Sequence, residues 1–190
     1  MVFLRPSALD IVALVVTAVS VTLQYLAFFY PDWWSYRHVS STSVVRTKTV
    51  GMYQTVECLP KCEIKSLVNI EGDYEWLFIS RIFEVFACFL CIVALFLHLL
   101  YLPVRKEGVR SSAIYLLGAA GLFALGGAFV FAALYDSLSN DLAPGTASAN
   151  FPFGINILTG FLHILASALT AVATVKAARQ GGDIEEAYIV

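Results

Sequence analysis

Four apolar stretches, each long enough to cross a lipid bilayer, leave this chain few folds to adopt. A spanning helix needs about 20 apolar residues, because the hydrocarbon core is about 30 Å thick and an α-helix rises about 1.5 Å per residue. The stretches cover roughly residues 8–29, 77–102, 113–135 and 153–175. Backbone N–H and C=O groups in hydrocarbon have no water to bond, so each span must be helical. Composition agrees: 59% of residues are hydrophobic and 14% charged, with mean hydropathy +0.77, where a soluble domain carries about 25% charged residues. The expected fold class is an all-α membrane protein, a four-transmembrane-helix bundle, with residues 1–190 forming a single domain.

The first stretch is too long for a cleaved signal peptide. It runs into Phe28, Phe29, Tyr30, Trp33, Trp34 and Tyr36 rather than into a small-residue cleavage site. Such aromatics mark a membrane–water interface. Between the spans lie loops of about residues 30–76 and 136–152, a short basic connection at 103–112, and a tail at 176–190. The short connection carries Arg105, Lys106 and Arg110 against Glu107, whereas 136–152 has no Lys or Arg. The positive-inside rule then predicts a multi-pass membrane protein with both termini and the basic connection in the cytoplasm. The lipid bilayer is thus the first partner, and the two longer loops face outside.

The first loop is the one long polar region. Residues 36–45, 50–57 and 62–68 are rich in β-prone residues, and Gly51 and Leu59-Pro60-Lys61 punctuate them. They predict a small extracellular antiparallel β-sheet formed mainly by the first loop, followed by a helical stretch from about residue 72. Cys58 and Cys62 lie in this loop, in an oxidising setting, and are read as a disulfide around Pro60 in preference to two free thiols. So short a closure contributes roughly 2 kcal/mol, so its role is local shape. His38 is the loop's only histidine, so a metal site is not expected. Cys88 and Cys91 have C-x-x-C spacing but fall within a span, and are read as buried reduced thiols.

Polar groups at membrane depth are expensive and need an explanation. Arg81 and Glu84 lie at the outer start of the second span. They are expected to pair at i, i+3, to have Arg81 hold the loop sheet, or to snorkel. Asp10 is expected at the interface, and His98 to snorkel. Gln24 and His163 are expected to hydrogen-bond between helices, and the set is too scattered for a proton relay. Ala120, Ala124, Ala128 and Ala132 recur every four residues on the third span. Gly160, Ala166, Thr170, Ala173 and Ala177 are the small residues of the fourth. Small faces let helices approach closely, here within the monomer's own bundle in preference to a dimer.

Other classes have no residues to carry them. Among the motifs there is no P-loop, no nucleophile with a base and no metal-ligand cluster, so neither an enzyme nor a cofactor is expected. The 12 Lys and Arg are scattered over the termini, the first loop, the second span and the short connection, so no nucleic-acid partner is expected.

The pattern resembles the claudin superfamily, which includes the epithelial membrane proteins and the calcium channel gamma subunits, with a divergent invertebrate claudin as the best match. The family signature of Trp, then Gly-Leu-Trp, then two Cys is carried here by Trp33 or Trp34, then Gly51-Met52-Tyr53, then Cys58 and Cys62. Arg81 matches an Arg at the outer start of the family's second helix, and Tyr188-Ile189-Val190 a C-terminal PDZ ligand. In this chain Gly-Met-Tyr replaces Gly-Leu-Trp, and the two cysteines stand closer together than in the family.

The resemblance implies a cell-junction or cell-adhesion protein that contributes to epithelial junction organisation or a paracellular barrier. Its partners would be like or related claudin-family molecules in cis or trans and a cytoplasmic PDZ scaffold. Lys61, Glu63 and Lys65 would set any ion preference. The alternative is an auxiliary gamma-type subunit with an ion channel as partner.

Overall fold

The computed structural model describes residues 7–40, 43–59, 61–66, 75–104, 106–134 and 145–187. Helix α1 (Ala8–Phe29) is followed by strands β1 (Trp34–Ser40), β2 (Ser43–Val50), β3 (Gln54–Leu59) and β4 (Lys61–Ser66). Then come α2 (Glu75–Val104), α3 (Glu107–Leu134), β5 (Thr146–Ala149) and α4 (Phe151–Ala187). Four helices are long and apolar enough to cross a membrane; the chain is a multi-pass membrane protein of the expected class, an α-bundle topped by a small antiparallel sheet.

Local chemistry sets the ends of α1. Ser7 and Asp10 form a reciprocal capping box at its start, which satisfies two of the orphan N–H groups. At the other end Tyr30 turns extended, with ψ 133°, as a residue before proline must, since Pro31 crowds the helical conformation.

The membrane-crossing segments outrun the sequence reading. α2 starts at Glu75 rather than at 77 and ends at Val104, and α3 starts at Glu107 rather than 113. The basic connection shrinks to residues 105–106, and Arg110 becomes a helical residue. Hydropathy marks where lipid ends, whereas helical hydrogen bonding continues past it. α4 likewise continues through Gly181 and Gly182 to Ala187, into what was expected to be a tail from residue 176.

The sheet is open and five-stranded, in the order β4-β3-β2-β1-β5, every pairing antiparallel. Residues 36–45, expected as one strand, are divided between β1 and β2 on either side of residues 41–42. No Gly or Pro in the sequence marks the break between the two strands, and Ser and Thr suit strands and connections alike. β5 comes from the second loop, for which no strand was foreseen. The helical stretch expected from residue 72 and the end of the third β-prone run lie outside the described residues.

Each helix turns one narrow stripe inward, at spacings that alternate between three and four residues. On α1 it is Ala13, Thr17, Ser20, Gln24 and Ala27. On α3 it is Arg110, Ala113, Leu117, Ala120, Ala124, Gly127 and Phe131. That alternation is the heptad pattern of a left-handed bundle. It also corrects the stripe of alanines read at every fourth residue. Four residues turn a helix by about 400°, so such a run drifts about 40° per step. Ala120, Ala124 and Ala128 are buried, but Phe131 takes the next inward place and Ala132 is exposed. On α4, Gly160, Ala166, Thr170 and Ala173 face in and Ala177 does not. α3 and α4 approach closely: a Cβ on Gly121 would lie 2.7 Å from the Gly160 carbonyl oxygen.

Candidate functional site

The sheet is held on the bundle by the residues singled out in the sequence. Trp33 and Trp34 are fully buried but do different work. Trp33 precedes β1 and drops its ring between the ends of α3 and α4. It meets Phe131 edge-on at 5.3 Å and Phe153 at 6.1 Å. Its indole N–H donates to the Ala27 carbonyl at 2.6 Å, one of the carbonyls that the end of α1 leaves without a helical partner. Trp34 opens β1, and the period-2 pleat places it on the same buried face as Tyr36, the rings stacked at 6.2 Å. Opposite Trp34 in the ladder stands buried Val50, and on its other side Ala149 of β5.

Gly51 and Met52 form the tight connection between β2 and β3. A Cβ on Gly51 would lie 2.7 Å from the Pro31 backbone, so only glycine lets the turn rest there. Met52 is fully buried in the cluster of Phe28, Trp33, Val50 and Leu77. Tyr53 is half-buried, edge-on to Phe28 at 4.9 Å and stacked near Phe29 at 6.4 Å. The Arg81 guanidinium lies over its ring at 5.8 Å. Burial raises the Tyr53 phenol above its ordinary pKa of 10.0, with the Arg81 charge opposing. Arg81 thus contacts the sheet side of the molecule through Tyr53.

The disulfide is present: Cys58 and Cys62 are bonded at 2.04 Å and stand directly opposite each other in the β3–β4 hairpin. β4 projects off the bundle with Lys61, Cys62, Glu63, Ile64 and Lys65 all exposed. Ile64 is 71% exposed between two oppositely charged neighbours, and Lys65 stands 3.8 Å from Glu63. Across β2 and β3, Arg46 pairs with Glu57. The hairpin is thus an exposed edge of the sheet, as β5 is at the other edge.

Beneath the sheet, polar side chains tie the helices together in tiers. In the first tier Gln24 donates to Glu84 and to Asn156, each at 2.8 Å, and Asn156 donates to the other Glu84 oxygen at 2.7 Å. Thr159 closes the tier by donating to the Gln24 carbonyl at 2.6 Å. Glu84 is therefore held by two amides and not by Arg81, which removes the i, i+3 pair from the three readings weighed for these residues. Gly127 leaves the room that its carboxyl fills. One tier further from the sheet Ser20 meets His163 at 3.0 Å. Next, His98 bridges Thr17 at 3.2 Å and Thr170 at 3.0 Å. His98 is 5% exposed; it does not snorkel, because hydroxyls on two other helices meet both ring nitrogens. At the end opposite the sheet Asp10 accepts from Arg110 at 2.6 Å, and Arg110 also donates to the Tyr101 hydroxyl at 3.1 Å. Asp10 thus lies under an ion pair and not free at the interface, and Arg110 is buried.

Gln24 and His163 bond between helices as expected. Asn156, Thr159, Ser20, Thr17 and Thr170 were missed. Their signal was present: on α1 and on α4 the polar residues keep the inward three-and-four spacing. Cys88 and Cys91 are buried free thiols. Among the described residues no cluster of His, Cys, Asp or Glu is placed to hold a metal. Tyr188, Ile189 and Val190 lie outside the described residues.

Comparison with protein-family models and with curated proteins finds no match for this chain.

Proposed function

We propose that this chain is a claudin-like cell-junction protein of the plasma membrane, whose sheet makes contact with like molecules on the same or a neighbouring cell. One observation carries the reading. Trp33, Trp34, Gly51, Met52, Tyr53 and Arg81, the residues of the resemblance, converge to fix the sheet rigidly on the bundle. They are spent on anchorage, which leaves the disulfide-braced β3–β4 hairpin projecting with Ile64 exposed between Glu63 and Lys65. An exposed aliphatic residue framed by both signs of charge suits a specific protein contact. A scaffold contact through Val190 would hold the protein at the junction.

The test is localisation of the tagged full-length chain in a polarised epithelial layer. Concentration at cell borders is expected, with loss of that concentration in Ile64→Asp while surface delivery persists. Uniform surface distribution of the parent chain would sink the reading. The gamma-type channel subunit has less support, since Ala120, Ala124 and Ala128 of α3 and Gly160, Ala166 and Ala173 of α4 face into the bundle, with Ala132 and Ala177 the exposed members of the two sets. Stable co-purification with a channel would reverse that preference.

A further inference from the structure

We infer that the chain carries a site for an acidic saccharide, a pyranose bearing one carboxylate, in a polar cleft of about 580 Å³ over β1 and β2. The pleat builds its floor. Trp34 and Tyr36 turn to the core, so Ser35 and Arg37 turn the other way, and across the ladder they meet Thr49 and Thr47. Asp32, ahead of β1, and Asn150, between β5 and α4, join the wall. Tyr30 and Phe151 are its exposed aromatic members, Phe151 at 78%. The volume lies within the range of about 300–1,000 Å³ usual for small-molecule sites.

The polar groups of the cleft are fixed in place yet unspent. Arg37 is exposed and has no ion pair or side-chain hydrogen bond among the described residues, and the Thr47 and Thr49 hydroxyls have none either. Asp32 and Asn150 hold each other: the amide donates to Asp32 Oδ1 at 2.5 Å, and the Ser35 hydroxyl donates to the amide oxygen at 3.2 Å. This leaves Asp32 Oδ2 to accept and the second Asn150 N–H to donate, each on an immobilised side chain. A sugar hydroxyl donates and accepts at once, so it satisfies both. The C–H face of the ring covers the exposed Phe151 ring and removes both from water. The Arg37 fork takes the carboxylate.

The same chemistry argues against other occupants. β1 and β2 are interior strands, each paired on both sides, so the floor presents no free backbone groups to an extended peptide. Arg37 is the one cation among the described lining residues and Asp32 the one carboxylate, a balance that suits a single negative charge better than a phosphate dianion. An apolar ligand would bury Asp32 and Arg37 without partners.

The site rests on the extracellular placement of the sheet proposed above, where saccharides are displayed, but it lies apart from the β3–β4 hairpin. Binding to the purified chain is measured independently of any junctional role. The full-length chain in phosphatidylcholine nanodiscs is titrated with sialyllactose, a glucuronic acid disaccharide and lactose, and followed by saturation-transfer NMR. Saturation should reach the ring protons of at least one acidic probe, bound about tenfold or more tighter than lactose, the effect of one charge-assisted hydrogen bond. Arg37→Gln should erase that preference, and Phe151→Ala should weaken binding of the same probe. Both side chains are exposed, so neither change disturbs the core. No saturation of either acidic probe, lactose bound equally well, either variant indistinguishable from the parent, or tighter binding of a short glutamate-rich peptide in competition would each overturn the assignment.

Discussion

Glu84 shows what a single side chain must satisfy inside this bundle. It is fully buried, and each carboxyl oxygen receives an amide N–H, from Gln24 and from Asn156. Those two amides also bond each other and the Ala124 carbonyl. Glu84→Ala would strip the accepting oxygens from both amides and open a void beside Gly127, so it should cost about 1–3 kcal/mol of stability. Glu84→Gln keeps one accepting oxygen and the shape, and should cost less. Thermal unfolding in detergent micelles checks the order. An Ala variant as stable as the Gln variant would mean that the amides do not depend on the carboxyl. Sequence reasoning found Gln24 as an interhelical bonding residue but did not name Gln24 or Asn156 as the partners of Glu84, for which a pair with Arg81 was one of three readings. Arg81 is nearer in the chain, yet it lies one turn closer to the sheet and is drawn to the Tyr53 ring. A pairing rule for exposed helices assumes two side chains on the same free surface; here one points into the bundle.

At the scale of elements, the sheet divides into an anchored part and a braced part. β1 and β2 bury Trp34, Tyr36 and Val50 against the helices, whereas β4 is exposed along both faces. The Cys58–Cys62 bond links directly opposed residues of the hairpin, so it constrains only a short segment of the unfolded chain. The double variant Cys58→Ser, Cys62→Ser should therefore lose roughly 2 kcal/mol, confined to β3 and β4. Hydrogen exchange reads this directly: amides of the hairpin should exchange faster while those of α1–α4 keep their protection. Accelerated exchange throughout the helices would show that the bond supports the bundle. The sheet's existence and the disulfide were legible because alternation and cysteine placement are local signals. The division of residues 36–45 between β1 and β2 was not, since Ser and Thr hid it. β5 was not, because Thr146–Ala149 owes its strand conformation to β1 and not to its own small residues. Helix ends were misjudged where the helix runs on past the apolar stretch, as at Glu107 in the first turn of α3.

For the whole molecule, the apolar spans explain membrane insertion but not the arrangement of four helices. Lipid tails are as apolar as leucine, so helices in a bilayer are aligned by close packing of small residues and by polar bonds. α1 supplies a partner in every tier: Asp10 to Arg110, Thr17 to His98, Ser20 to His163 and Gln24 to Glu84 and Asn156. A one-residue slip of α1 would rotate this stripe by about 100° and break all of these bonds together. The polar tiers thus specify one register of α1 against the other three helices. The tier furthest from the sheet gives the sharpest test, because its pair is charged and Arg110 is 1% exposed. Arg110→Leu leaves the Asp10 carboxylate without its cation and should cost about 3 kcal/mol. Asp10→Asn keeps the cap with Ser7 while removing the charge. Once the charge is gone, Arg110→Leu should cost less than it does alone. A double-mutant cycle by reversible denaturation in micelles should give a coupling of about 1–3 kcal/mol. Strict additivity would show that the two groups merely lie close, and that small-residue packing alone holds α1 in register.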